Sequence, residues 1–261
     1  MGLEGNRAVA QRRLRHLLDP PPVGAVDRGG YLDLLGDAPQ AGPSTGVAQR
    51  LMRTAAVPRV YEDWWRPALG RLAKGLRGPS MRDEHRIASR LLGLGRSQVV
   101  LDVACGTGAF TRSFARIVGP EGLSIGLDAS PSMLARAHAA TSPGEAVGFL
   151  RADAVHPPLS AGSLDAVCCF AALHLFAEPE QALTSFAKLL KPGGRLAVLT
   201  SAQHDGFPFH QVDGVIGLVG GMRMFGRGEI ARMLHERGFD EVTESFHGVV
   251  QIVGARRAAA A

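Results

Sequence analysis

The stretch Val99-Val-Leu-Asp-Val-Ala-Cys-Gly-Thr-Gly-Ala-Phe110 decides the fold. It opens as an apolar run of strand length with one acid inside it, Asp102. Small residues follow at 104, 106 and 108, and the apolar spacing from Phe110 to Val118 predicts a helix. Strand, glycine turn and helix in that order make a ligand loop of a doubly wound α/β sheet. The loop departs from the dinucleotide fingerprint G-x-G-x-x-G: counted from Gly106 and Gly108, the third glycine falls on Thr111. It also lacks the closing Gly-Lys-Ser/Thr of a P-loop. Small side chains let the backbone approach a ligand closely. A carboxylate at the strand end suits a cationic group on that ligand.

The same rhythm continues outward. Leu123–Asp128 reads as a second strand, and Ser130-Pro131 as an N-cap with proline at the first helical position, opening a helix to about Ala140. Val147–Leu150 and Leu164–Phe170 are the third and fourth strands, and Glu178–Leu190 is a helix. Pro192-Gly-Gly194 turns into a fifth strand, Arg195–Thr200. Glu229–Arg237 is a last helix, and Glu241–Phe246 with Val249–Ala255 form a closing strand pair bent at Gly248. Apolar strands alternating with helices predict an α/β fold: a mostly parallel seven-stranded sheet with a C-terminal antiparallel strand.

Upstream, Val9–Leu18 is a short basic helix stopped by Asp19-Pro-Pro-Pro22. The segment 47–95 is helical, kinked at Pro58, and its last helix is capped by Ser80 with Asp83 at N3. The expected division is an extension over 1–80, partly irregular and partly a helical lid, a main domain over 81–255, and a frayed tail over 256–261.

Acids stand at successive strand ends. Asp128 lies 22 residues after Gly106, where doubly wound folds hold a ribose. Asp153 follows the third strand, where an acid or its neighbouring backbone can meet an adenine edge. Each alone has a structural alternative: Asp102 a loop tie, Asp128 a helix cap, Asp153 a turn. Their joint placement points to a ligand, because ligands bind at those strand ends.

Composition narrows the remainder. No apolar run reaches the ~18–20 residues of a membrane span, and the first twenty residues hold no apolar core of a secretion signal. Cys105, Cys168 and Cys169 offer no Cys-x-x-Cys pair, so no zinc ribbon and no metal site is expected. A cytoplasmic setting is the simplest for such thiols. Between Arg50 and Arg90, ten basic residues face four acids, about +6, which accounts for the whole surplus of +5. A solvated helical face explains this, and so does a site for an anionic substrate such as RNA or a phosphorylated small molecule.

These motifs resemble class I S-adenosylmethionine-dependent methyltransferases. Val100–Phe110 looks like their first motif, and Gly126-Leu-Asp-Ala-Ser-Pro-Ser-Met-Leu134 like their second-strand motif. Arg151-Ala-Asp-Ala154, Gly162-Ser-Leu-Asp-Ala-Val167 and Leu190-Lys-Pro-Gly-Gly-Arg-Leu196 resemble the later ones. Ala104 stands where the family usually has glycine. The resemblance implies a Rossmann-like fold and S-adenosyl-L-methionine as donor, leaving S-adenosyl-L-homocysteine. It implies Asp102, Ala104, Gly106 and Gly108 at the methionine end and Asp128, Ala129 and Met133 at ribose and adenine. Asp153 and Ala154 would meet the adenine edge, with Ala171 beside the reactive methyl. Gly30-Tyr-Leu-Asp-Leu-Leu35, Val60-Tyr-Glu-Asp-Trp-Trp-Arg66 and Ala171-Ala-Leu-His174 look like uncharacterised plastid methyltransferases of plants. Those proteins and the ribosomal-RNA guanine-N1 methyltransferases place a zinc ribbon before the Gly-Tyr-Leu segment. Its cysteines are absent here.

Methyl transfer from a sulfonium needs alignment first. A base helps only where the acceptor must lose a proton. His174 is the candidate base, with a packed histidine as the alternative. Tyr61, Trp65, His204 and His210 are candidate acceptor contacts. Three functions compete: transfer to an O, N or C nucleophile of a small molecule, transfer to an RNA base, and cofactor binding without turnover. Monomer and homodimer are both compatible with the sequence.

Overall fold

The computed structural model describes residues 4–20, 26–36, 78–203 and 222–259. These carry helix α1 (Glu4–His16), strands β1 (Val26–Asp27) and β2 (Leu32–Asp33), helix α2 (Met81–Leu91) and strand β3 (Val99–Val103). Then come α3 (Ala109–Val118), β4 (Leu123–Asp128), α4 (Pro131–Ala139), β5 (Val147–Arg151), β6 (Leu164–Phe170) and α5 (Pro179–Leu189). Strand β7 (Leu190–Ser201), helix α6 (Glu229–His235) and strands β8 (Phe239–His247) and β9 (Val250–Arg257) close the chain.

The strands form one sheet in the order β1-β2-β5-β4-β3-β6-β7-β9-β8. From β5 to β8 these are the seven expected strands. β2, β5, β4, β3, β6 and β7 pair in parallel, and β9 runs antiparallel to both β7 and β8. The sheet reaches nine strands because a short N-terminal hairpin, β1–β2, adds to the β5 edge. The strand order reverses at β3, with β4 on one side and β6 on the other, and in doubly wound sheets the strand C-termini at such a reversal are where ligands bind.

Alternation along β3 sends Leu101 and Val103 into one apolar layer and Val100 into the other. The adjacent thiols divide in the same way, Cys168 with the Val100 layer and Cys169 with the Leu101 layer. Both helix starts foreseen by capping form as expected. The Asp83 N–H donates to Ser80 Oγ at 3.3 Å while the Ser80 N–H donates to Asp83 Oδ2 at 3.1 Å. The Met133 N–H donates to Ser130 Oγ at 3.4 Å, with Pro131 at the first turn.

Two boundaries differ from the sequence reading. Helix α1 starts at Glu4, a turn before Val9, and buries Ala10 and Leu14. Strand β9 runs through Arg257, two residues into the stretch read as a tail. Arg256 is held there by Glu241, whose Oε1 lies 2.9 Å from its Nη1.

The N-terminal segment is part of the packed body. Leu14, Leu18 and Leu32 join the larger core, while Tyr31 packs with Leu134, Val147 and Phe149 on the other face. The hairpin therefore grips both faces of the β5 edge.

Candidate functional site

The turn after β3 is built from left-handed backbone at Ala104 (φ +55°), Gly106 (+54°) and Gly108 (+73°). At Ala104 this conformation costs about 1 kcal/mol that glycine would not incur. Strain of this kind is typically retained at ligand sites. Gly108 leaves a side chain little room. A Cβ there would lie 3.1 Å from Ala137 Cβ and 3.2 Å from Phe149 Cε1.

The loop is tied to the end of β4. The Cys105 N–H donates to the Leu127 carbonyl at 2.9 Å, and the Gly106 N–H donates to Asp128 Oδ2 at 2.8 Å. The other carboxylate oxygen, Oδ1, accepts from the Ser130 N–H at 2.9 Å. One acid thus fixes the glycine loop and the start of α4 together.

Asp102 is only 3 % exposed, and its Oδ2 accepts from Thr111 Oγ1 at 2.6 Å. Thr111 occupies the position where a dinucleotide fold has its third glycine. Its hydroxyl here clamps α3 to β3, which explains the departure from that fingerprint. Ser124 Oγ donates to the Thr111 carbonyl at 2.8 Å and extends the clamp to β4.

Asp153 shapes its own turn. Its Oδ1 accepts from the Val155 N–H at 2.9 Å and its Oδ2 lies 3.0 Å from His156 Nδ1. Ala154 and Met133 are half-buried, and Ala129 is half-buried with its carbonyl accepting from Arg151 Nε at 3.0 Å. Ala171 is exposed at the end of β6, with φ +60° and its N–H on the Leu199 carbonyl at 2.8 Å. A second non-glycine residue thus holds a left-handed conformation at a strand end beside this reversal.

His174 lies in a 3-10 turn, Leu173–Leu175, just after β6. Its Nδ1 is 3.4 Å from Thr200 Oγ1 on β7. Burial pushes the imidazole down to about 4, so it is neutral at physiological pH. A neutral ring this weakly basic suits hydrogen bonding better than proton abstraction. Its carbonyl accepts from the Arg223 N–H at 2.9 Å. The Arg223 guanidinium in turn bonds Glu180 Oε1 at 2.7 Å and Glu229 Oε1 at 2.8 Å. Tyr61, Trp65, His204 and His210 lie outside the described residues, as does most of the basic segment Arg50–Arg90.

All three thiols are held in their neutral form. Burial first, then the neighbouring carboxylates, pushes Cys105 and Cys168 well up, and burial does the same for Cys169. Cys105 therefore serves the loop through its size. Among the described residues, no group of acids, histidines and cysteines is arranged to hold a metal ion.

A family model of the methyltransferase domain matches residues 101–198. The ubiquinone/menaquinone biosynthesis C-methyltransferase UbiE of Yersinia pestis is 32% identical over 189 residues, spanning 62% of this chain and 75% of that protein. The chain belongs to the class I S-adenosylmethionine-dependent methyltransferases. An uncharacterised chloroplastic methyltransferase of Arabidopsis thaliana is 33% identical over 175 residues, 63% of this methyltransferase and 47% of the plant protein. The chain spans less than half the length of that relative. The crystal structure of an S-adenosylmethionine-dependent methyltransferase from Aquifex aeolicus has the same fold. It aligns with a TM-score of 0.54 at 20% identity, over 67% of this chain and 90% of that one.

Two features of the methyltransferase escape sequence reasoning. The Thr111–Asp102 clamp had a signal, the missing third glycine, but its partner is visible only in three dimensions. Arg151 had none, because its partner Asp33 is 118 residues away. No helix among the described residues is long and apolar enough to cross a membrane.

Proposed function

We propose that this methyltransferase moves the methyl group of S-adenosylmethionine onto an O, N or C nucleophile of a small molecule by direct displacement. The observation that carries the donor half is the Gly106–Asp128 hydrogen bond, which fixes a glycine cradle against a strand-end carboxylate. The cradle suits the donor because its backbone at Ala104, Gly106 and Gly108 is left-handed and carries little side-chain bulk, and because the acid stands one strand over.

In this reading Ala104, Gly106 and Gly108 line the methionine end, with Asp102 shaping the loop from behind through Thr111. Asp128 accepts the two ribose hydroxyls. An ionised carboxylate at a strand end of a doubly wound sheet is the group that accepts ribose hydroxyls in such folds. Ala129 and Met133 flank the adenosine, and the backbone at Asp153–Ala154 meets the adenine edge. The Asp153 carboxylate is already engaged in its turn, which leaves the peptide groups to read the base. Bound there, the donor supplies an activated sulfonium methyl. The protein aligns the acceptor past Ala171, with His174 as an orienting hydrogen-bond partner, and excludes water. Residues 81–255 carry the donor site, and residues 1–80 contribute a cover.

The small-molecule class is supported by the likeness to UbiE, whose name describes a quinone-biosynthesis C-methyltransferase. The test is transfer of labelled methyl from S-adenosylmethionine into fractionated metabolite and RNA extracts. Label in a metabolite fraction is the expected result. Label in RNA only would replace the acceptor class. Cofactor binding with no S-adenosylhomocysteine formed in any fraction would favour a non-catalytic role.

A further inference from the structure

One rung of the sheet carries three charged side chains across three parallel strands. Asp33 of β2 is in register with Arg151 of β5, and Arg151 is in register with Asp128 of β4. Residues in register on parallel strands share a face. The outer acid of this rung belongs to the N-terminal hairpin. The inner acid is the candidate ribose acceptor.

Arg151 joins Asp33 to the turn that follows Asp128. Its Nη1 contacts Asp33 at 2.9 Å (Oδ2) and 3.1 Å (Oδ1) and donates to the Gly36 carbonyl at 2.6 Å. Its Nε donates at 3.0 Å to the carbonyl of Ala129, the residue that immediately follows Asp128. The planar guanidinium therefore holds the 128–130 turn and the hairpin in one fixed geometry. Both partners are buried, Arg151 at 8 % exposure and Asp33 at 3 %. Burial opposes the charge on Asp33, but Arg151 and the Gly36 and Leu35 amides overcome it and hold the carboxyl below its usual range. Arg28 Nε adds a further contact to Asp33 Oδ2 at 3.1 Å. The Leu34 N–H donates to the Arg151 carbonyl at 3.0 Å, so backbone pairing reinforces the ion pair.

The sheet itself does not require this pair at its edge. A buried ion pair adds little net stability over apolar residues of similar size, so its presence calls for a positional explanation. The atom it reaches, the Ala129 carbonyl, supplies one. We propose that Asp33 and Arg151 are positioning residues for the adenosine end of the donor site, coupling docking of the 26–36 hairpin to donor binding. This inference rests on the donor-site reading above. Because coupling is reciprocal, a donor-site ligand must tighten the hairpin as much as the hairpin tightens the ligand.

Two measurements test it with S-adenosylhomocysteine as the probe. Calorimetry on Asp33→Asn, which keeps the shape but removes the charge and replaces one acceptor oxygen by an N–H donor, should show affinity reduced about tenfold. Arg151→Lys, which keeps the charge but not the fork, should lose affinity similarly. Lys191→Ala breaks another ion pair, with Asp165 at 2.7 Å near the opposite end of β6, and should leave affinity unchanged whatever it does to stability. On the wild-type protein, the ligand should slow hydrogen exchange in peptides spanning 26–36, a readout that needs no variant. Affinities within twofold of wild type, with exchange over 26–36 unaltered by ligand, would overturn the coupling. Asp128→Ala separates the two claims. If it abolishes binding while Asp33→Asn does not change it, only this inference fails. If Asp128→Ala also binds normally, the donor-site reading fails first.

Discussion

The Gly106 N–H donates to Asp128 Oδ2 at 2.8 Å across two neighbouring parallel strands. In the proposed donor site this one contact would set both the backbone meant for the methionine portion and the carboxylate meant for the ribose. Such preorganisation reduces the ordering cost of binding.

Ala104 holds φ +55° without glycine's freedom. Ala104→Gly should relieve that strain, and the gain is offset in part by the greater freedom of glycine in the unfolded chain. The expected net change is small, within about 1 kcal/mol, with donor affinity preserved. Thermal melts and calorimetry check it. A large loss of affinity would mean that the alanine methyl itself contacts the ligand.

Gly108 is different, because both backbone and space disfavour a side chain. It has φ +73°, and a Cβ would press on Ala137 and Phe149. Gly108→Ala should cost about 1–3 kcal/mol of stability and shift the start of α3. Urea unfolding measures the first effect. Donor affinity should fall together with it.

Burial lowers His174 from its usual 6.5 to about 4. As pH falls, the unfolded chain takes up this proton before the folded one. The stabilisation is therefore complete above about 6.5 and is lost as pH drops toward 4. His174→Gln should flatten the dependence of Tm on pH in that window. His85 and His138 are also lowered, chiefly by burial, so part of the slope should remain. An unchanged slope would show that His174 is solvated.

Cys105 sits inside the glycine loop with its thiol pushed well up by burial and by Asp128 and Asp102. Alkylating reagents should modify it slowly at neutral pH, and Cys105→Ala should retain donor binding. Rapid modification, followed by loss of binding, would count against a purely space-filling role.

Much of this site was legible in the chain because its signals are local. Val99–Val103 is an apolar run ending in a glycine turn, and Ser130-Pro131 states a helix start within two residues. Asp102 and Asp128 stand at strand ends that the apolar runs delimit. What stayed hidden is non-local or too short to carry a period. Strands β1 and β2 have two residues each, so alternation cannot mark them. The Arg151–Asp33 pair joins positions 118 residues apart, and nothing in Arg151-Ala-Asp-Ala154 names its partner. At Asp153 the sequence named a turn as well as a ligand contact, and the turn is there: its carboxylate accepts from the Val155 N–H and lies beside His156.

The most direct test of the account is calorimetry of S-adenosylhomocysteine binding to the wild-type protein and to Asp128→Ala. Loss of a charged contact to two hydroxyls is worth roughly 1.5–3 kcal/mol, or about 10–100-fold in affinity. That weakening, in a variant that still unfolds cooperatively, is the predicted result. Equal affinity in the two proteins would contradict the assignment of these strand ends as the donor site.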